Sequence, residues 1–404
     1  MKNQSIDDVV SNIRALDLKE PSQIRIALKW LEEALPNADN LEKDKKKLIY
    51  LKIHFWLELW RVEKDIENLQ FAINYLSHNA IVCEMDLLFI ERALFFLTEI
   101  RDQVKDPFLL TNAIDLGLIY LNYAEETSEN YLNTINNFAV ILGFRYSISK
   151  NQSDLIQQIE LLTKILSLEP NNPDYMNNLA IALGYHYELS QQDDDLNRQI
   201  ELLENAMQMK LNNFNYLNSL LGALVNRYKL HHREEDLNRQ IELLEDTLQV
   251  KPINLIYLND LMVKLRDRYQ LFRREDDLNR LIELHEEALR IDSGNTMYMN
   301  NLGLSLGDRY RLYQQEEDLN RKIRLLEEAS GLMPNNLDII NNLGVALRDR
   351  YHLHHREDDL NRRIELHEET LRKDPTNQLY MNNLGSALSD RYLLHVSRSL
   401  KVNR

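Results

Sequence analysis

The sequence predicts an all-α protein, an array of stacked helical hairpins. Three observations predict it. The phrase Asp-Leu-Asn-Arg begins at Asp195, Asp236, Asp277, Asp318 and Asp359, a fixed step of 41 residues. Within each unit the apolar residues fall three and four apart, which sets them on one face of a helix. Gly and Pro are scarce, 10 and 8 in 404 residues, while Leu, Glu and Arg abound. That balance favours helix and disfavours disorder and long linkers.

The 41-residue step holds for a second phrase. An Arg-Tyr pair starts at Arg227, Arg268, Arg309, Arg350 and Arg391. Asp154-Leu155 and Arg145-Tyr146 keep the register upstream, and His186-Tyr187 replaces one pair. Length alone suggests two or three globular domains, but repetition overrides that expectation.

Each unit carries two helical patterns. From Asp318 to Met333, the residues Leu319, Ile323, Leu326 and Ala329 share one face. Pro334 stops this helix, as Pro170, Pro252 and Pro375 do in other units. Asn335-Asn336 makes the turn. The second pattern, Ile339, Leu343, Ala346, Leu347 and Tyr351, is again helical and spans roughly 20 residues, or about 30 Å. The acids Glu357-Asp358-Asp359 open the next helix, where negative charge suits the amino end. One hairpin cannot bury its apolar face alone, so the stack is the folding unit.

These residues resemble the tetratricopeptide repeat. Leu302-Gly303, Ala329 and Pro334 stand where that motif has Leu-Gly, a small residue and Pro, and so do Leu343-Gly344, Thr370 and Pro375. The usual period is about 34 residues. The longer step here adds about two helical turns between the Leu-Gly helix and the Leu319-type helix, lengthening the hairpin without rotating its apolar face. The motif's small residue early in the second helix is absent, its place taken by Gln199, Gln240, Leu281, Lys322 or Arg363. The resemblance implies a right-handed α-solenoid of about nine hairpins plus a terminal helix. Long repeats of this style are also similar to arrays that accompany CHAT-type peptidases.

The predicted organisation is 1–130 as degenerate hairpins, 131–396 as regular repeats and 397–404 as a tail. Helices are expected at about 5–17, 22–35, 41–63, 66–79, 83–104 and 108–125 in the first part. Trp30, Trp56 and Trp60 are expected in the core there. The last of about 19 helices is expected near 377–396. The chain breaks its repeat after Arg391-Tyr392, which fits either a plain cap or a shortened array that once preceded an effector domain.

The formal charge of −16 argues against a general nucleic-acid binder. RNA binding along the Arg/His-rich turns is a lesser alternative, weakened by the alternating acids and by the lack of an aromatic platform. Cys83 is the only cysteine, so no intrachain disulfide and no paired-cysteine zinc site can form. It sits in an apolar pattern and reads as a buried thiol. No signal peptide and no membrane-spanning run is present, so a cytoplasmic protein is expected. His285-Glu286 and His367-Glu368 lack the second His of a zinc-protease helix. His231-His232 and His352, His354 and His355 read as solvated helix ends. No phosphate-binding glycine loop occurs. No catalytic residue, metal or cofactor is expected.

The candidate binding residues form ladders. Asn136, Asn177, Asn218, Asn259, Asn300, Asn341 and Asn382 share one position of the repeat. The next position reads Asn137, Asn178, Ser219, Asp260, Asn301, Asn342 and Asn383. Asn is a mediocre helix former, so its retention asks for a reason. The resemblance places these residues toward a concave groove, and a comparable ladder in O-linked N-acetylglucosamine transferases holds an extended peptide. A primary amide donates and accepts, which suits a peptide unit. The alternative is that the amides bond neighbouring helices and set the stacking. Asp267, Asp308, Asp349 and Asp390, with Asn226 one unit earlier, lie two turns further on, on a similar face. They would make the groove suited to a basic or extended peptide, or else pair locally with Arg268, Arg309, Arg350 and Arg391. The expected function is a non-catalytic scaffold that binds a protein or peptide. The alternative is a regulatory array of a peptidase-type effector. Self-association through a repeat end is a further expectation.

Overall fold

The computed structural model describes residues 6–37, 42–79, 84–100, 103–104, 106–128, 130–210, 213–250 and 254–402. Cys83 and Pro252, named above, lie outside the described residues. Nineteen α-helices occur among the described residues, and no strand. The first six are α1 (Ile6–Arg14), α2 (Pro21–Ala34), α3 (Glu42–Glu63), α4 (Ile66–Asn79), α5 (Glu84–Glu99) and α6 (Pro107–Tyr123). The regular repeats supply α7 (Tyr131–Ser149), α8 (Gln152–Leu168), α9 (Pro173–Ser190), α10 (Asp193–Met209), α11 (Phe214–His231) and α12 (Glu234–Val250). They continue with α13 (Leu255–Phe272), α14 (Glu275–Ile291), α15 (Thr296–Tyr313), α16 (Glu316–Leu332), α17 (Leu337–His354) and α18 (Glu357–Lys373). The last is α19 (Gln378–Val402), which runs through most of the segment expected to be a tail. The chain divides within α11 into two compact units, 1–223 and 224–404, and each is described on its own.

The hairpin boundaries repeat because their signals repeat. The odd-numbered helices open on Asn caps. Asn172, Asn254, Asn295 and Asn336 each accept from two backbone N–H groups of the first turn. These helices end where Lys150, Gln191, His232, Arg273, Gln314 and His355 adopt left-handed backbone, with φ between 51 and 56°. The chain then reverses within a few residues into the even-numbered helix, which opens on acids, as at Glu316-Glu317-Asp318. Pro170, Pro334 and Pro375 lie two residues beyond the ends of α8, α16 and α18, where the ring no longer clashes with the helix.

Within each unit short connections make consecutive helices antiparallel neighbours, as where α9 packs on α10 and α15 on α16. The apolar faces meet between them. In the second unit Leu319, Ile323, Leu326 and Ala329 of α16 pack with Ile339, Leu343, Ala346 and Leu347 of α17. The Tyr after each repeat Arg is buried core at Tyr146, Tyr269, Tyr310 and Tyr351, half-buried at Tyr228 and exposed at Tyr392, and Tyr187 after His186 is buried as well. In the first unit Trp56 and Trp60 are buried, as expected. Trp30 differs: it is half-buried beside the exposed Lys29, at the edge of the apolar face formed by Ala27, Leu28 and Leu31.

Candidate functional site

The Asn ladder is an amide-to-amide chain between hairpins. Asn178 of α9 donates Nδ2 to Oδ1 of Asn136 in α7 at 2.8 Å. In the second unit Asn342 of α17 donates to Asn300 of α15 at 2.9 Å, and Asn383 of α19 donates to Asn341 of α17 at 2.8 Å. Each link joins the second ladder position to the first position of the preceding repeat. One pair in the degenerate part copies the chemistry: Asn112 of α6 donates to Asn74 of α4 at 2.8 Å. Phenols add a parallel link in the first unit. Tyr175 donates to Asn133 at 3.0 Å, and Tyr216 donates to Asp174.

A carboxamide has one oxygen and two N–H groups. The link uses one N–H of the donor, so Asn178, Asn342 and Asn383 each retain an oxygen and a second N–H. All three are partly exposed, as are Asn137, Asn300, Asn301 and Asn341, and Asn382 is exposed. Asn177 is buried, and its oxygen finds no hydrogen-bond partner. The ladder thus couples repeats and still presents amide groups at its surface.

The Asp line carries its own counter-ions. Asp308 meets Arg311 at 2.5 Å, Asp349 meets Arg348 at 2.9 Å, and Asp390 meets Arg363 at 2.7 Å. These are not the arginines of the Arg-Tyr pairs, so the local pairing expected with Arg309, Arg350 and Arg391 does not form. Asp267 lies near the Tyr228 phenol, which burial first and that carboxylate second push upward in pKa. The face beside the ladder is therefore charge-compensated at Asp308, Asp349 and Asp390.

The Arg-Tyr arginines point elsewhere. Arg145, Arg268, Arg309 and Arg350 each fork onto the buried Asp nine residues on, which is Asp154, Asp277, Asp318 or Asp359. Arg227 donates Nε and Nη2 to one oxygen, Oδ1 of Asp236, at 3.0 and 2.6 Å. His186, the exception in sequence, meets Asp195 at 2.7 Å.

The register that lacks the motif's small residue is a buried one. Gln158, Gln199 and Gln240 are buried, and the oxygen of each finds no hydrogen-bond partner. The same position becomes Leu281, then Lys322 and Arg363, also buried. Glycines opposite make room. A Cβ on Gly143 would meet the Gln158 amide at 2.4 Å, one on Gly184 the Gln199 amide at 2.6 Å, and one on Gly307 the Lys322 ammonium at 2.6 Å. Burial lowers the Lys322 pKa, opposed by the Asp349 and Asp308 charges. The available signal was this Gly-to-polar pairing fifteen residues apart, present at 143/158, 184/199 and 307/322 and replaced at Val225, Arg266 and Arg348 in the other units.

In the first unit a cleft of about 340 Å³ opens between α7, α8 and α9. Val140, Phe144, Ile181 and Tyr185 wall it, and Gly143, Ser147, Gln158 and Asn178 complete it. No charged side chain lines it. Elsewhere His285 and His367 lie in the core, with pKa values brought down to about 4 by burial. Among the described residues no group of three or more His, Cys, Asp or Glu could hold a metal ion. No described helix is long and apolar enough to cross a membrane.

Antiparallel hairpins with Leu-Gly helices and terminal prolines keep the likeness to an array of the tetratricopeptide type. No family model and no curated protein matches the chain. Several solved structures are similar to it. The C-terminal part of a TPR repeat-containing protein from Cytophaga hutchinsonii is 12% identical, with 72% of this chain and 99% of that one covered and a TM-score of 0.48. YrrB, described as a TPR protein with an unusual peptide-binding site, is 14% identical over 52% of this chain and 89% of its own, at a TM-score of 0.35. The P58(IPK) TPR domain is 14% identical over 97% and 99% of the two chains, at a TM-score of 0.25.

Proposed function

We propose that this protein is a non-catalytic interaction scaffold that binds an extended peptide segment along its Asn ladder. The observation that carries the reading is the half-used amide row. Asn178, Asn342 and Asn383 each spend one N–H on the preceding repeat and keep an oxygen and an N–H. An extended peptide offers the complementary N–H and C=O groups. The row recurs with the repeat; helices pack roughly 8–10 Å apart and an extended chain rises about 3.3 Å per residue, so amides of consecutive repeats within a unit reach about every third peptide unit. Because arginines neutralise Asp308, Asp349 and Asp390, the reading needs no basic ligand.

The test uses the full chain against a random twelve-residue peptide library displayed on phage. Selected peptides are synthesised and their Kd measured by fluorescence anisotropy. The triple variant Asn301→Ala, Asn342→Ala, Asn383→Ala is expected to weaken binding at least tenfold while helical circular dichroism persists. Unchanged affinity in a folded triple variant removes the ladder from the binding surface.

A further inference from the structure

We propose that the cleft between α7, α8 and α9 is a specificity pocket for one aromatic, hydrogen-bond-donating side chain, tyrosine or tryptophan, of a bound peptide. The inference deepens the peptide-binding reading and rests on it for the carrier of that side chain.

Three features of the cleft fix the chemistry. Its size, about 340 Å³, is at the small end for ligand sites, fit for one large side chain. Its walls are apolar and partly aromatic, through Val140, Phe144, Ile181 and Tyr185, which suits a flat ring. The lining holds no charge, so a lysine or arginine entering it would lose its water for no counter-ion.

The requirement for a donor comes from Gln158. This side chain lines the cleft, is only 5% exposed, and its Oε1 finds no hydrogen-bond partner. A buried acceptor without a partner is costly, and a ligand donor relieves that cost. The last torsion of a glutamine side chain is soft, and a partial rotation about it turns Oε1 toward the cleft. The acceptor can therefore meet a donor entering the cleft with no backbone movement. Gly143 is what admits the carboxamide, since a Cβ there would stand 2.4 Å from its nitrogen. The next repeat rebuilds the same pair: Gly184 faces Gln199, whose oxygen is likewise unpartnered.

The experiment is a methyl NMR titration of the full chain labelled at Val and Ile, read at Val140 and Ile181. The probes are p-cresol, toluene and benzylamine. They share a ring and differ in carrying a neutral donor, no donor and a cation. The expected result is that p-cresol shifts both methyls with a Kd at least fivefold below those of toluene and benzylamine. Gln158→Leu should erase the preference for p-cresol over toluene. Ile181→Trp, at a rim position that is already partly exposed, should block all three and serves as the second variant if Gln158→Leu does not fold. Equal affinity for p-cresol and toluene, tightest binding of benzylamine, or a preference that survives Gln158→Leu overturns the pocket. A last arm compares acetylated and amidated Ala-Ala-Tyr-Ala-Ala with its Phe counterpart. Tighter binding of the Tyr peptide supports a peptide carrier, and equal binding overturns that carrier while the p-cresol result still reports on the cleft. This pocket is separate from the triple Asn test, whose three residues all lie in the other unit.

Discussion

Arg309 grips Asp318 with both edges of its fork, Nε to Oδ2 at 2.8 Å and Nη2 to Oδ1 at 2.6 Å. The carboxylate side chain is 5% exposed and the guanidinium 25%. A planar guanidinium matches a carboxylate in this two-bond geometry, and lysine cannot. The pair ties the last turns of α15 to the first turn of α16 and so closes the hairpin. In two repeats the same arginine also reaches back a repeat. Arg268 donates to Asn238 at 2.7 Å and Arg350 to Asn320 at 3.1 Å. A single side chain thus closes its own hairpin and joins it to the one before.

Removing one partner from such a pair strands the other in the protein. Arg309→Ala is expected to cost about 3 kcal/mol, the lower end for a buried pair because the guanidinium is partly solvated. Asp318→Asn should cost less, since the amide still accepts one bond. The reciprocal change is informative at the one repeat that carries histidine. His186→Arg restores the fork onto Asp195 and is expected to add about 1 kcal/mol. Urea unfolding followed by circular dichroism measures all three. A His186→Arg protein no more stable than wild type would show that the fork, and not the mere pairing, is unimportant.

Glycine substitutions should split by what lies opposite. A Cβ on Gly117 would sit 2.2 Å from the Phe138 ring, a core side chain with nowhere to go. Gly117→Ala is expected to cost roughly 2–3 kcal/mol through overpacking. Gly222 and Gly331 lie inside helices with nothing within 4 Å of the added carbon. Gly222→Ala and Gly331→Ala should each stabilise by up to about 1 kcal/mol, the helix propensity difference. Thermal melts of the three single variants check the ranking, and a stabilising Gly117→Ala would contradict the packing described.

The left-handed hairpin position offers a milder change. Gln314 holds φ at 55°, a conformation that costs a residue with a Cβ and suits glycine. Gln314→Gly removes that strain and one surface hydrogen bond to the Arg311 carbonyl. It also loosens the unfolded chain. The expected net gain is about 0.5 kcal/mol, readable as a small rise in urea midpoint.

The architecture was legible in the sequence wherever one residue type recurred at 41-residue spacing. The Asp-Leu-Asn-Arg phrase shows why. Its Asp318 answers Arg309, its Leu319 is core, its Asn320 accepts from the next repeat's Arg350, and its Arg321 reaches the preceding repeat's Glu286 at 2.6 Å. Every letter is held by a neighbour, so the phrase persists as a block. The partner of each letter was not legible. Arg309 stands next to Asp308 in sequence yet bonds Asp318, because adjacent helix residues point to different faces while the hairpin turn brings residue and residue-plus-nine together. The Asn ladder was visible as a row, but its split between inter-repeat bonds and surface amides depends on a spacing of 42, one residue off the repeat. The Gln158 register showed in sequence as a missing small residue, but the burial of its polar members did not, since the residue type changes to Leu281, Lys322 and Arg363 along the chain.

Acid should loosen the second unit through two core histidines. His285 lies buried with Nδ1 2.6 Å from the Leu281 carbonyl, and His367 sits where a Cβ on Gly344 would meet its ring at 2.7 Å. Burial brings both down to about 4 from the ordinary value near 6.5, opposed at His285 by the Leu281 hydrogen bond and reinforced at His367 by the Arg363 charge. The unfolded chain therefore takes up protons first as pH falls. Stability from these groups is complete above about pH 6.5 and is lost between pH 6.5 and 4. Full protonation of His285 is worth roughly 3 kcal/mol by this linkage. Leucine occupies the same register at Leu244 and Leu326. His285→Leu and His367→Leu should therefore be accommodated, and the double variant is expected to flatten the fall in urea midpoint between pH 7 and pH 4.5. An unaltered pH slope in the double variant would assign the acid sensitivity to other groups.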